Sequence, residues 1–344
     1  MKRSNFTRLA LMMIVVAAAS AGASAGPLRE RIKERWQERM QRAGEADDMA
    51  GGNAMSCAEW AQKVNRLQRF AGSRNTGPAP DLKDVAYGPD KLDKLDVFLP
   101  KTAKPARPAP IIMMVHGGGW CIGDKDGASV TANKVARWTP KGFLFISADY
   151  PMVNDGDDAL AQAIHVARAA AFVQANAARW GGDPSRLILM GHSAGAHLVS
   201  LVNADAKIRQ ANGVRPILAT VSLDAGAIDV VKQMPNVYPF LKARYREAFG
   251  DTEAQWILAS PFQQLDRTAA PWLGVCSTQR KDDPCGQAKA YAEKSNGLGI
   301  RAAVLPEAKS HAAINKELGT PGDYTAGVEA FMASLDPVVA GLLK

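Results

Sequence analysis

The stretch Leu187-Ile188-Leu189-Met190-Gly191-His192-Ser193-Ala194-Gly195-Ala196-His197-Leu198 constrains the fold more than any other part of the chain. Four consecutive apolar residues read as a strand buried on both faces. Gly-x-Ser-x-Gly follows, and then a small-residue segment with helical spacing. Strand, very tight turn and helix in that order make a nucleophile elbow. Ser193 at the tip has strained backbone angles, and a side chain at Gly191 or Gly195 would collide with a neighbouring strand or helix. The turn lifts the Ser193 hydroxyl out of the sheet top. It also leaves the Ala194 N–H at a helix start, free to bind an oxyanion.

The 344 residues are 47% hydrophobic and 22% charged, enough for one large α/β domain with a full core or two small ones. The net charge of +8 is spread along the chain. No stripe of basic and aromatic residues suggests a nucleic-acid partner. Lys2, Arg3 and Arg8 precede an apolar run, Leu9 to Ala19, and Ala23-Ser24-Ala25 fits a small-x-small cleavage site. We therefore expect a signal peptide at 1–25 and export to the periplasm or outside the cell. The run is too short for a stable membrane span. In such a compartment the four cysteines favour disulfides. Four cysteines allow three pairings; Cys276 and Cys285 flank a short polar turn and are expected to pair, leaving Cys57 for Cys121, with free buried thiols as the alternative. No Cys/His cluster suggests a metal.

Residues 26–80 read as a helical arm and linker. Arg29 to Arg42 alternates basic residues with Glu around Ile32, Trp36 and Met40, an amphipathic helix with a thin apolar stripe. Gly44 to Asn53 is polar, Cys57 to Phe70 is a short helix, and Gly72 to Pro80 is a Pro/Gly linker. From residue 81 to 344 strands alternate with helices. Strands are expected at Val85–Gly88, Lys94–Leu99, Ile111–Val115, Phe143–Ser147, Leu187–Met190, Ala219–Leu223, Pro271–Cys276 and Ala302–Leu305. Helices are expected at Ala159–Trp180, Gln287–Leu298 and Tyr324–Leu335. The alternation implies a mostly parallel sheet covered on both faces. Ala225 to Phe262 reads as an insert, either overhanging the sheet top or packed on the side of the domain.

An oxygen nucleophile needs a base, a group that orients it, and donors for the charge on the carbonyl oxygen. Among five histidines, His192 is adjacent to Ser193, His197 lies one turn along the helix, His165 is on the Ala-rich helix and His116 precedes a glycine run. His311 remains, in the loop after the last strand. The acid is expected in Ser277 to Cys285, where Asp283 is preferred over Asp282. Asp224, at the end of the preceding strand, is a third candidate, with a backbone-bonding role as the alternative. His116-Gly117-Gly118-Gly119-Trp120 follows a buried strand. It lacks the Gly-Lys-Ser/Thr ending of a P-loop and the spacing of a dinucleotide fingerprint. The N–H groups of Gly118, Gly119 and Ala194 would form an oxyanion hole.

Those motifs, with Gly123-Asp124-Lys125 and Gly181-Gly182-Asp183-Pro184-Ser185-Arg186, resemble the α/β-hydrolase superfamily, on the hormonesensitive-lipase-like and feruloyl-esterase-like (BD-FAE type) carboxylesterase branch. The likeness covers about Val85 to Leu335. It implies an α/β-hydrolase fold and a serine esterase with Ser193, His311 and Asp283 as its triad. It implies a small-molecule ester as substrate and no cofactor. Two rivals stand beside it: an aryl formamidase or amidase using the same residues, and a non-catalytic binding module of the same fold. The chain departs from the branch in two places. The usual acid loop, Asp-x-x-Val-Pro, is replaced by Asp282-Asp283-Pro284-Cys285, and the usual Tyr-Arg after the fourth strand is Tyr150-Pro151.

Overall fold

A computed structural model describes residues 54–71, 76–102 and 108–344. The expected leader, the Arg29–Arg42 helix and the polar stretch 44–53 lie outside the described residues. Asn53–Lys344 forms one compact unit. Its sheet has eight strands: β1 Leu82–Ala86, β2 Lys94–Phe98, β3 Ala109–Val115, β4 Leu144–Ala148, β5 Gly182–His192, β6 Ala219–Leu223, β7 Trp272–Ser277 and β8 Ala302–Glu307. Their order is β1-β2-β4-β3-β5-β6-β7-β8. The first two pairings are antiparallel and the rest parallel. This is the expected α/β-hydrolase architecture.

The central strands are apolar on both sides, so each face needs a cover. Ile111, Met113, Val115, Leu187 and Leu189 share one core with the helices Ala159–Asn176 and Ala194–Ala204. Ile112, Met114, Phe145, Ile188 and Met190 share the other with Val135, Trp138, Ile314, Val328 and Val339. Alternate residues of a strand thus feed opposite layers. The Ala-rich helix lays Ala159, Ala163, Ala167 and Ala170, all fully buried, against the sheet. Small side chains there let helix and sheet approach closely.

Outside the insert, four helices have no counterpart in the sequence reading: Ala128–Trp138, Ala206–Ala211, His311–Glu317 and Pro337–Leu343. Lys134 interrupts the apolar stripe of the first, yet it is buried. Its ammonium donates to Ser129 O at 2.9 Å, Asn315 O at 2.6 Å and Asn315 Oδ1 at 3.0 Å. Partners from a distant segment make that burial tolerable. The same bonds tie this helix to the one that begins at His311. β5 begins earlier than expected. Gly182 pairs with Ala109, the register shifts, and the regular ladder starts at Leu187.

The insert 225–262 folds into short helices, among them Val230–Gln233, Lys242–Phe249 and Glu253–Leu258. Tyr245 and Phe249 pack edge-on against Trp120, with ring centroids 5.1 and 4.7 Å away. The insert therefore abuts the glycine loop above the sheet. Both expected disulfides are present, Cys57–Cys121 and Cys276–Cys285. Among the described residues no helix is long and apolar enough to cross a membrane.

Candidate active site

The elbow forms where β5 meets the helix Ala194–Ala204. Ser193 has φ 55° and ψ −117°, a conformation costing a non-glycine residue about 1–3 kcal/mol. The surroundings enforce it. The Ser193 N–H donates to Leu223 O at 3.0 Å. A Cβ on Gly195 would lie 2.3 Å from Val115 O, and one on Gly191 would lie 2.3 Å from Gly195 O. Any side chain at either position would separate the helix from the sheet.

The glycine loop arrives from β3. A Cβ on Gly117 would lie 2.9 Å from the Ser193 Cβ, so the loop passes directly beside the elbow. Gly118 and Gly119 both have positive φ, 125° and 54°. His116 and Tyr150 hold the loop from beneath. Their rings stack with centroids 4.5 Å apart, and the Tyr150 hydroxyl donates to His116 O at 2.9 Å. His116 Nε2 lies 3.2 Å from Asp149 Oδ1. Lys125 is buried with its ammonium 2.7 Å from Asp84 and 3.3 Å from Asp96. On the far side the Trp120 indole donates to His197 Nδ1 at 3.2 Å, and His197 Nε2 donates to Ala259 O at 2.7 Å. These two bonds select the neutral tautomer of His197, and burial lowers its pKa to about 4.

His311 opens its own helix, with Ser310 as the cap. His192 Nε2 donates to His311 O at 3.0 Å, and the two rings lie 4.5 Å apart. Burial, reinforced by the neighbouring His311, holds the His192 pKa well below the usual range. His192 thus braces His311 against the elbow.

The carboxylate that meets His311 is Asp224, and this corrects the expected geometry. Asp224 Oδ2 lies 2.6 Å from His311 Nδ1. It follows β6 directly, with φ 53°, and is fully buried. Its Oδ1 accepts the Ser277 N–H at 2.8 Å, and Arg280 Nη1 donates to Oδ2 at 3.1 Å. Burial opposes ionisation, but the bond to His311, the Arg280 charge and the Ser277 N–H outweigh it. The Asp224 pKa is accordingly held well below the usual carboxylate range.

Asp283 is occupied elsewhere. It caps the helix Pro284–Gly297, with Oδ1 accepting the Gly286 N–H at 2.9 Å. Asp282 is paired with Arg280, accepting Nε at 3.0 Å on Oδ1 and Nη2 on Oδ2. Local sequence contained a signal for this. With the Pro of Asp-x-x-Val-Pro set on Pro284, the Asp position falls on Arg280. A cation thus occupies the Asp position of that pattern.

A second contact lay outside the sequence reading. The helix Cys57–Ala71 is joined by disulfide to Cys121, and a Cβ on Gly119 would lie 3.0 Å from a Trp60 ring carbon. The Arg244 guanidinium sits over that ring, 4.3 Å from its centroid.

Comparison with known proteins bears on the family and the fold. The esterase LipC of Mycobacterium tuberculosis is 29% identical over 229 residues, covering 61% of this chain and 54% of that protein. A kynurenine formamidase of Danio rerio is 34% identical over 121 residues, covering 35% of this chain and 38% of that protein. The chain spans about a third to just over half the length of the curated relatives it matches. In fold, esterase B of Lactobacillus rhamnosis superposes with a TM-score of 0.61 at 16% identity, over 83% of this chain and 94% of that one. The BD-FAE family model matches residues 95–275, more than half of the chain and all of it from β2 through the elbow to β7. The chain belongs to the BD-FAE family.

Proposed function

We propose that this protein is an exported serine hydrolase that cleaves carboxylic esters, with Ser193, His311 and Asp224 as its triad. Gly118, Gly119 and Ala194 supply the oxyanion hole. The observation that carries the reading is the 2.6 Å contact of His311 Nδ1 with a buried, ionised Asp224, beside a strained Ser193. An acceptor at Nδ1 leaves the Nδ1–H tautomer, so Nε2 is free to take a proton.

Ser193 Oγ attacks the ester carbonyl carbon as His311 Nε2 takes its proton. The carbonyl oxygen becomes an oxyanion held by the three backbone N–H groups. Collapse expels the alcohol, which receives the proton from His311, and leaves an acyl-Ser193. Water enters, His311 removes its proton, and the acid departs with Ser193 restored. Asp224 stabilises the imidazolium in both halves. Both disulfides suit an oxidising compartment.

Labelling with a fluorophosphonate tests the reading. Wild type is expected to be labelled at Ser193 and to hydrolyse short-chain nitrophenyl esters. Ser193→Ala should stay folded, escape labelling and lose turnover by a factor on the order of 10⁴–10⁶. Near-native turnover by that variant would reject the assignment, and an unlabelled wild type would favour a binding module. The partial likeness to a kynurenine formamidase favours one second reading, hydrolysis of an N-formyl aryl amide by the same residues. Rates on paired aryl formamides and aryl esters separate the two.

A further inference from the structure

We propose that Arg280 is a positioning residue: it holds Asp224 onto His311 and sets the pH range in which that imidazole works as a base, with Asp282 limiting its effect. This rests on the serine-hydrolase reading above.

Arg280 spans two carboxylates. Nε and Nη2 are spent on Asp282, while Nη1 donates to Asp224 O at 3.0 Å and to Asp224 Oδ2 at 3.1 Å. Nη1 also passes 3.3 Å from His311 Nδ1. The planar fork therefore converges with the imidazole on one oxygen of Asp224 and fixes the plane of that carboxylate. Room has been kept for it, since a Cβ on Gly226 would lie 2.5 Å from Nη2. The loop that carries Arg280 is closed by the Cys276–Cys285 disulfide, and Ser277 Oγ anchors it to Lys309 O at 2.6 Å.

The charges oppose one another. An imidazolium forming at His311 is favoured by Asp224 and disfavoured by Arg280, whose own charge is partly offset by Asp282. The other ionisable groups around this cluster are the same in every variant considered. They include His192 from β5, Lys134 bonded to Asn315, Tyr324 bonded to Ile314 O, Tyr245 and Arg244 of the insert, Glu307, the Lys309–Glu317 pair, and Lys232, Lys281 and Asp283, which line one hollow with Asp282. Neutralising Arg280 favours the imidazolium. Neutralising Asp282 leaves the guanidinium less compensated and disfavours it.

The test is the pH profile of kcat/KM on a nitrophenyl acetate for wild type, Arg280→Gln and Asp282→Asn, with folding checked by circular dichroism. The acidic limb of Arg280→Gln should move up by about one pH unit, and that of Asp282→Asn should move down by about half a unit. Loss of packing alone does not shift two variants in opposite directions. Limbs that stay in place, or that move the same way, would overturn the proposal. Should Arg280→Gln fail to fold, the Asp282→Asn limb decides alone, downward for and unmoved against. A wild type that neither turns over ester nor takes fluorophosphonate overturns the hydrolase reading and this proposal together. An active wild type with unmoved limbs overturns only the role of Arg280.

Discussion

Replacing Asp224 by Asn discriminates the triad acid more sharply than any other single change. Asp224 Oδ1 accepts the Ser277 N–H, so an Asn side chain must keep its carbonyl oxygen on that side. Its NH2 then faces His311 Nδ1 and Arg280 Nη1. Facing a donor, His311 must turn Nδ1 into an acceptor and carry its proton on Nε2. In that tautomer it cannot take the proton from Ser193. A loss of about 10³–10⁴ in kcat at neutral pH is expected, the scale associated with holding a triad histidine in the wrong tautomer. Arg280 also loses a buried anion and faces an N–H, so the variant should be destabilised by about 3–5 kcal/mol. Asp283→Asn loses only charge at a helix cap, and Asn caps as well as Asp. Its kcat should stay within a few-fold of wild type, with its melting temperature almost unchanged. Initial rates on nitrophenyl acetate and thermal melts of both variants provide the measurement. Asp283→Asn losing a thousandfold while Asp224→Asn stays within tenfold would refute the reasoning.

Replacing Cys276 and Cys285 together by Ala should cost roughly 2–3 kcal/mol for so short a loop. It should also lower kcat through the loosened Ser277–Arg280 segment, which melts and steady-state rates would register; unchanged rates would detach the disulfide from function. Acid stability follows from His197, whose folded pKa of about 4 lies below its usual 6.5. The unfolded chain binds that proton first, so stability should fall as pH drops from 6.5 towards 4, by about 3 kcal/mol in all. His197→Gln should flatten this part of a plot of melting temperature against pH, and an undiminished slope would show that the ring does not contribute. Trp60→Ala removes the ring lying on Gly119 and under Arg244. By loosening the glycine loop it should lower kcat on nitrophenyl acetate by about tenfold; an unchanged rate would show that the ring does not support that loop.

Most of the sheet was legible because each central strand is a short apolar run between turn signals, as at Ile111–Val115 and Ala219–Leu223. The elbow and the glycine loop were legible for a related reason. Tight turns and close backbone approaches demand particular residues at fixed spacing, so Gly191, Ser193, Gly195 and Gly117–Gly119 announce themselves locally. The helix Ala128–Trp138 was hidden because Lys134 breaks its stripe, and its burial depends on Asn315.

Local sequence thus determined the strand pattern, the elbow and the glycine loop, because backbone sterics and short-range chemistry select residue types position by position. It did not determine the acid. The sequence reading preferred Asp283 and ranked Asp224 third. Which carboxylate meets His311 depends on where the ends of β6 and β7 come to rest beside β8, and on Arg280, which ties up Asp282 and holds Asp224. That is a property of strands packed side by side, since segments far apart in the chain must meet before one carboxylate is desolvated and paired and the others are left to cap a helix or hold a guanidinium.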